Sequence, residues 1–150
     1  PGIVLSGRAE PLDLEWKDLR PRASQGHSNA TQAISHSSIP ARRFSDPRAF
    51  AVVREYKGLR VRLPGYLIPL DTSAEGATEL LIVPFVGACI HVPPPPPNQI
   101  VHATTKAPYE MKSLFEPVFA VGTLDTVVAE TELVQSSYTL AVEEFEKVRF

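Results

Sequence analysis

The chain has 150 residues, of which 43% are hydrophobic, and its formal net charge at pH 7 is −2. This length and apolar content fit one domain that buries a core of its own. The near-neutral charge gives no whole-chain electrostatic reason to expect nucleic acid as a partner. No run of residues approaches the roughly 18 apolar positions that a membrane-spanning helix requires.

Two residue counts limit the fold and the chemistry further. The sequence contains a single cysteine, Cys89, and fifteen prolines. A single cysteine cannot close an intramolecular disulfide, so Cys89 is a buried structural thiol, a metal ligand, a reactive group or half of an intermolecular bridge. Proline at one residue in ten favours strands and loops over long helices.

Residues 1–44 are predicted to form an N-terminal arm followed by a mobile loop. The arm contains the only tryptophan, Trp16, in a segment of mixed polar and apolar residues, and we expect a hydrophobic clasp around it. Residues 21–40 are rich in Ser, Gln, Asn and Gly, with Ile34 and Ile39 as the only large aliphatic side chains. That composition is typical of a mobile loop, and residues 45–150 are predicted to form the single folded domain.

The first helix signal is Ser45-Asp46-Pro47, where an N-cap candidate is followed by proline at the first helical position. We expect a helix over residues 49–56 that ends at Gly58, and the competing interpretation is a strand through Val52 and Val53.

From Leu59 onward, apolar and polar residues alternate, which is typical of half-buried strands. Pro64 and Gly65 interrupt the first run, so it predicts two strand segments joined by a kink. Gly122 predicts a bend or a close backbone approach in a later strand. The predicted strands are 59–63, 66–70, 79–86, 100–104, 118–124 and 138–142, with a polar turn at 71–76 and a short helical turn near 111–115.

These elements predict a mostly β domain with five to six strands, one or two short helices and an irregular N-terminal arm. Strands joined by short turns, rather than by long helices, exclude a doubly wound α/β sheet. Five strands with one internal kink fit a small antiparallel barrel of the OB type.

The most unusual stretch, residues 87–99, contains Cys89, His91 and a run of five prolines. If the preceding strand continues, Cys89 and His91 point to the same face because they are two residues apart. Proline fixes φ near −65° and donates no N–H, so the run predicts a stiff polyproline II rod. The prolines are Pro93, Pro94, Pro95, Pro96 and Pro97.

Thiolate and imidazole are preferred ligands of zinc, so Cys89 and His91 predict a metal site. His102 would be the third ligand if the proline rod turns its strand back beside the first, and water, Asp71 or Glu79 would be the fourth. Residues 58–150 contain eleven Asp and Glu against six Lys and Arg, an excess that suits a cation.

Two other interpretations of this pair stay open. In the first, Cys89 is a small buried hydrophobe and His91 is a core histidine bonded to the backbone. In the second, Cys89 is a nucleophile and His91 its base, although no third residue is evident to orient the histidine.

The proline rod also has two interpretations. Polyproline II loses little entropy on docking, so the five prolines with Asn98 and Gln99 form a candidate partner-binding segment for an aromatic-lined groove. Alternatively, the rod is a rigid crossover within the chain, and Asn98 and Gln99 bond backbone carbonyls that the prolines leave without local donors.

Three segments, 63–70, 81–101 and 118–124, together resemble the bacterial family called domain of unknown function 3299. The central segment carries the run Gly-Ala-Cys-Ile-His-Val, the five prolines, Asn and Gln, and the resemblance covers residues from about 50 to 148. It implies exported periplasmic proteins that are often encoded beside ABC-transporter genes, some of them in neighbourhoods tied to zinc uptake. It implies no established activity.

The residues and the resemblance together predict a non-enzymatic periplasmic binding or accessory protein. We expect a zinc site built on Cys89 and His91, and an envelope or ABC-transporter component as partner. One alternative is a structural interaction module that docks through the polyproline segment, and another is a thiol-dependent enzyme that uses Cys89. Because the chain begins with proline, we expect a processed or trimmed form, and the resemblance implies that an export signal has been removed.

Overall fold

The computed structural model describes residues 10–21, 46–89, 92–131 and 133–148. The mobile loop predicted for residues 21–40 therefore lies, apart from its first residue, outside the described residues. One α-helix, α1 (Pro47–Phe50), and three 3-10 turns, Trp16–Leu19, Arg54–Tyr56 and Pro97–Gln99, are present in the described part. The strands are β1 (Leu12–Asp13), β2 (Arg60–Pro69), β3 (Ala77–Val83), β4 (Val101–Tyr109), β5 (Glu116–Asp125), β6 (Ala129–Glu130), β7 (Gln135–Ser136) and β8 (Tyr138–Lys147).

Five strands close into a barrel in the order β2-β3-β4-β8-β5, and β5 pairs back onto β2. β4 and β8 run parallel, whereas the other neighbouring strands of the barrel are antiparallel. This is the Greek-key arrangement of an OB-type barrel, so the predicted fold class is confirmed. β6 and β7 form a separate two-stranded hairpin in the connection from β5 to β8.

β2 is one continuous strand of ten residues, which corrects the prediction of two segments. Residues 60–67 pair with β5 and residues 66–69 pair with β3, so the strand changes partner just after Pro64 and Gly65. The Pro64 carbonyl accepts a hydrogen bond from Trp16 Nε1 at 2.7 Å. A Cβ on Gly65 would lie 2.5 Å from Ile82 Cγ2 and 3.2 Å from Trp16 Cζ2. The Pro-Gly pair therefore admits the tryptophan while strand pairing continues through it.

The N-terminal arm packs into the barrel. β1 pairs in parallel with β2, and Leu14 and Leu19 are buried in the barrel core. The Tyr138 hydroxyl donates a hydrogen bond to the Leu19 carbonyl at 2.7 Å and accepts one from the Val53 amide at 2.8 Å. Trp16 itself is partly buried and packs against the same core, as the predicted hydrophobic clasp requires.

Helix α1 begins at the predicted start signal, Asp46-Pro47, but ends at Phe50, six residues before the predicted end. The Asp46 carboxylate accepts a hydrogen bond from the Arg48 amide at 2.9 Å, which satisfies one free N–H of the first turn. The helix ends at Phe50 because Ala51 is extended and the next two residues are β-branched valines, which favour extended backbone. The predicted helical turn near residues 111–115 is also absent, since this described segment contains only bends and a turn.

Side chains alternate between the two faces of the barrel wall, as the period of a strand requires. The inward-facing side chains and the arm form one apolar cluster, the barrel core. Within the described residues no helix has the length and hydropathy of a membrane span. The fully buried members of the core are Leu19, Val61, Leu67, Leu80, Ile82, Val101, Ala103, Val118, Ala120, Leu124 and Tyr138.

Candidate functional site

The loop from β3 to β4, residues 84–100, carries most of the candidate residues, and β3 ends just before it. The sequence predicts a strand that runs to Val86, but the ladder stops at Val83 because Pro84 has no N–H to donate. A tight loop follows, closed by a hydrogen bond from the Val92 amide to the Gly87 carbonyl at 3.1 Å.

A second apolar cluster, the outer cluster, lies on the outside of the barrel wall. Its β3 members, Leu81 and Val83, alternate along the strand with Leu80 and Ile82 of the barrel core. The loop 84–100 and the β6–β7 hairpin cover this outer face. The buried members of the outer cluster are Ile68, Leu81, Val83, Ala88, Ile100, Phe115 and Val134.

Cys89 is half-buried and packs against the outer cluster. Its backbone is left-handed, with φ of 72°, so it lies in a turn and not on a continuing strand. The expectation that Cys89 and His91 share a strand face is therefore wrong, and His91 itself lies outside the described residues. Burial raises the pKa of the Cys89 thiol to about 11, because the apolar surroundings disfavour the thiolate.

His102 lies on β4, and its Nε2 is 2.8 Å from Glu79 Oε2 on β3. Asp71 is already engaged as well, since its carboxylate accepts hydrogen bonds from the backbone of Glu79 and from Thr78. The Glu79 amide first, and then the Thr78 hydroxyl, lower the pKa of Asp71. These contacts fix the turn between β2 and β3.

The predicted zinc ligands are not assembled by the described residues alone. No group of three or more His, Cys, Asp or Glu side chains that could hold a metal ion occurs among them. The zinc site at Cys89, His91 and His102 stays a prediction, and it depends on His91.

The five prolines are divided between surface and interior. Pro93 is exposed, whereas Pro95 and Pro97 are buried. Pro96 has the extended angles of polyproline II, with φ of −63° and ψ of 156°, and Pro97 begins a 3-10 turn. This geometry agrees with a rigid crossover inside the chain.

Asn98 and Gln99 are buried and hold the N-terminal segments against the barrel. Asn98 Nδ2 donates to the carbonyls of Ala51 at 2.9 Å and Arg48 at 3.2 Å. Gln99 Nε2 donates to the Trp16 carbonyl at 2.9 Å. The two side chains do bond backbone carbonyls, but none of the acceptors is a proline carbonyl: three belong to the N-terminal segments and the fourth is that of Asn98 itself.

A buried carboxylate, Glu116, was not anticipated from the sequence. It accepts hydrogen bonds from the Tyr109 hydroxyl at 2.6 Å and from the Lys112 amide at 2.7 Å, with Lys147 Nζ at 3.7 Å. Desolvation opposes ionisation, but these donors outweigh it and lower the pKa of Glu116. The carboxylate closes the loop between β4 and β5, and its position in a Glu-Pro pair gave no signal of that role.

We expect Cys89 to react slowly with iodoacetamide. With its pKa raised to about 11, the thiol is almost fully protonated near neutral pH, and only the thiolate is nucleophilic. The rate should be about tenfold or more below that of a free cysteine peptide at pH 8. It should then rise about tenfold per pH unit up to about pH 10, where the peptide has already levelled off.

A chelator provides the matched control for this measurement. A protonated, buried thiol reacts at the same rate with and without the chelator. Acceleration by the chelator would contradict this expectation, because it would identify a metal-bound thiolate and support the zinc site at Cys89, His91 and His102.

Comparisons with known proteins place this geometry in a family. The family model described as protein of unknown function, DUF3299, matches residues 16–147. The match begins inside the arm, earlier than the resemblance noted in the sequence, which agrees with the packing of Trp16 into the barrel. A search of functionally curated proteins found no match.

A solved relative has the same architecture. The crystal structure of a DUF3299 family protein from Pseudomonas aeruginosa PAO1 is 31% identical in sequence and superimposes with a TM-score of 0.75. The alignment covers 95% of this chain and 99% of the relative. Since the family model matches residues 16–147, which include part of the arm and the barrel strands, the chain belongs to the DUF3299 family.

Proposed function

We propose that this protein is a non-enzymatic binding protein that docks onto a partner protein through the loop 84–100 and the surface around it. The observation that carries the proposal is a set of exposed apolar side chains on a loop that contains no charged residue. Loops at a protein surface are normally polar, so large apolar side chains held there indicate an interaction site.

The sequence from Leu80 to Thr105 contains no Asp, Glu, Lys or Arg. Within this stretch, Phe85 and Val92 are each 42% exposed and Val86 is 60% exposed. Two further exposed leucines, Leu114 and Leu133, directly precede the outer-cluster members Phe115 and Val134. The apolar docking surface is accordingly defined as Phe85, Val86, Val92, Leu114 and Leu133.

The loop that carries Phe85, Val86 and Val92 is anchored by buried residues. Ala88 and Pro97 are buried, and the hydrogen bond between Val92 and Gly87 closes the loop. Holding anchor side chains in one conformation before binding reduces the conformational entropy lost on association. Few such anchors are needed, because a small number of residues carries most of the energy of an interface.

The position in the fold also supports a binding role. OB barrels bind ligands on the second and third strands of the barrel and on the loops between strands one and two and between strands four and five. Here those strands are β3 and β4, and the outer cluster fills part of that face with Leu81 and Val83. Oligonucleotide-binding barrels line the face with basic and aromatic side chains, whereas this one presents an uncharged apolar loop.

The raised pKa of the Cys89 thiol supports a non-enzymatic role, because a protonated thiol is a weak nucleophile. A periplasmic location, a link to an ABC-type transport system and zinc binding remain predictions from the resemblance. Docking through the loop requires none of them.

Site-specific photo-crosslinking in cells tests the proposal. We expect a discrete crosslinked protein when p-benzoylphenylalanine replaces Val86, because that side chain would lie inside the interface. The substitution Val92→Asp should reduce this product by about tenfold, since a charge would have to be desolvated at the contact.

Glu144 is the control position for the photo-crosslinker. It is exposed on β8, a strand that contributes nothing to the outer cluster. The same products from both positions, or no product from Val86, would contradict docking through this loop.

A further inference from the structure

The carboxylates around the outer cluster differ in their partners from most carboxylates of β5 and β8, where Glu116, Asp125, Glu143 and Glu146 form ion pairs and Glu144 forms none with a described Lys or Arg. Along β2, β5 and β8, basic side chains pair with carboxylates: Arg60 with Glu143 at 3.0 Å and Arg62 with Glu146 at 3.2 Å. Around the outer cluster, several carboxylates have no Lys or Arg nitrogen of the described residues within ion-pair distance. They are Asp71, Glu75, Glu79, Glu110 and Glu130.

These carboxylates border the outer cluster at several points. Glu79 lies on the same outward face of β3 as Leu81, and among the described residues His102 is its one ion-pair partner. Asp71 directly follows Leu70, which packs against the cluster. Two basic residues of the described chain lie near this face, Lys106, which is exposed on β4, and Lys112, in the loop from β4 to β5, so acidic side chains are in excess there.

Two more of the five carboxylates, Glu110 and Glu130, lie on the segments that also carry Leu114 and Leu133 of the apolar docking surface. Glu110 begins the loop that presents Leu114, and Glu130 lies on β6 in the hairpin whose turn presents Leu133. The docking surface is therefore an uncharged apolar centre with an acidic rim. In protein interfaces, an apolar core with a charged rim is the usual division, and rim charges determine the sign of the partner and the association rate.

Resting on the docking function proposed above, we infer that the partner is a protein segment that presents apolar side chains flanked by Lys or Arg. The apolar side chains contact Phe85, Val86 and Leu114, and the basic side chains face Glu79, Glu110 and Glu130. An anionic lipid surface is the less favoured occupant, because it attracts basic and not acidic protein surfaces.

Three labelled synthetic peptides test this inference against the full chain by fluorescence anisotropy. The peptides have equal length and the same spacing of leucines, and their polar positions are all Lys, all Glu or all Ser. We expect the Lys peptide to bind about tenfold or more tightly than the Ser peptide, and the Glu peptide not to bind. Raising the salt concentration from about 50 mM to about 300 mM should weaken the Lys peptide selectively.

Variants of the chain separate specific docking from general charge attraction. The triple variant Glu79→Gln, Glu110→Gln, Glu130→Gln keeps the size of each side chain and should bind the Lys peptide about fivefold to tenfold more weakly. Val86→Ser should weaken binding by a similar factor, because it removes an apolar anchor. Glu144→Gln, away from the docking surface, is the matched control and should leave the affinity unchanged.

Each contrary result has a distinct meaning. Equal affinity for the Ser and Lys peptides would overturn the inference about charge and leave the docking function standing. The inference would also be overturned if the Lys peptide did not bind, or if Glu144→Gln weakened its binding as much as the triple variant does. The same holds if Val86→Ser left the affinity for the Lys peptide unchanged. Binding of anionic lipid vesicles in place of the peptide would replace the protein partner with a membrane. Failure of docking itself is read separately, from the loss of the Val86 photo-crosslink.

Discussion

Replacing Gly122 by alanine is expected to lower the free energy of unfolding by about 3 kcal/mol or more. Gly122 lies where the pairing of β5 with β8 shifts by one residue, after Val121. An added Cβ would overlap the Ala141 carbonyl and lie 2.9 Å from Val142 Cα. Both neighbours are backbone atoms of the paired strand, so they can move only if the ladder moves. Urea titration followed by circular dichroism measures the loss.

Gly58→Ala provides the comparison that isolates the steric cause. Gly58 has φ of 82°, and a Cβ there would meet nothing within 4 Å. The substitution therefore costs only the left-handed backbone, about 1–2 kcal/mol. If Gly122→Ala destabilised the protein no more than Gly58→Ala, the close approach of β8 to Gly122 would be refuted.

The strands were predictable because their side-chain alternation is local. β5 and β8 are found where the sequence places them, and Gly122 marks the close approach that a glycine inside a strand indicates. The change of pairing partner along β2, from β5 to β3, was not predictable from the local sequence. It occurs just after Pro64, whose carbonyl bonds Trp16, a residue distant in sequence. The Pro-Gly pair looks like an interruption until the tryptophan that occupies the bend is known.

Composition singled out residues 87–99 as a candidate site, but it did not predict the geometry there. The expected shared face of Cys89 and His91 assumed that β3 continues beyond Pro84, whereas β3 ends at Val83. The left-handed conformation of Cys89 is rare for a residue with a side chain and carries no local sequence signal. The acidic rim was equally invisible, because its carboxylates come from four separate elements that only the closed barrel brings around one face.

The part of the proline stretch that stabilises the fold is its polar end. Asn98 directs both amide hydrogens at carbonyls near helix α1, and its Oδ1 has no hydrogen-bond partner among the described residues. Only 1% of Asn98 is exposed, so water does not readily replace these bonds. A change in one donor group there should therefore have a large effect on the attachment of the N-terminal segments.

Asn98→Asp is expected to be the most pH-dependent substitution in the chain. The two side chains have the same shape, but the carboxylate brings negative charge against the Arg48 and Ala51 carbonyls in place of two donors. Burial without a partner raises the pKa of the introduced carboxyl above its unfolded value of about 3.9. The folded protein then binds a proton that the unfolded protein releases, so the variant loses stability as pH rises above about 4 and regains it as pH falls. We expect a loss of about 3–5 kcal/mol at pH 8.

Asn98→Ala separates the buried charge from the lost hydrogen bonds. Alanine removes the same two donors without adding a charge, so it should cost about 2 kcal/mol at every pH. Urea titrations of both variants at pH 8 and at about pH 4.5 test the difference, which should be large at the higher pH and small at the lower one. Equal stability of the two variants at pH 8 would mean that the introduced carboxylate reaches water, and that Asn98 is not the buried link between the proline loop and helix α1.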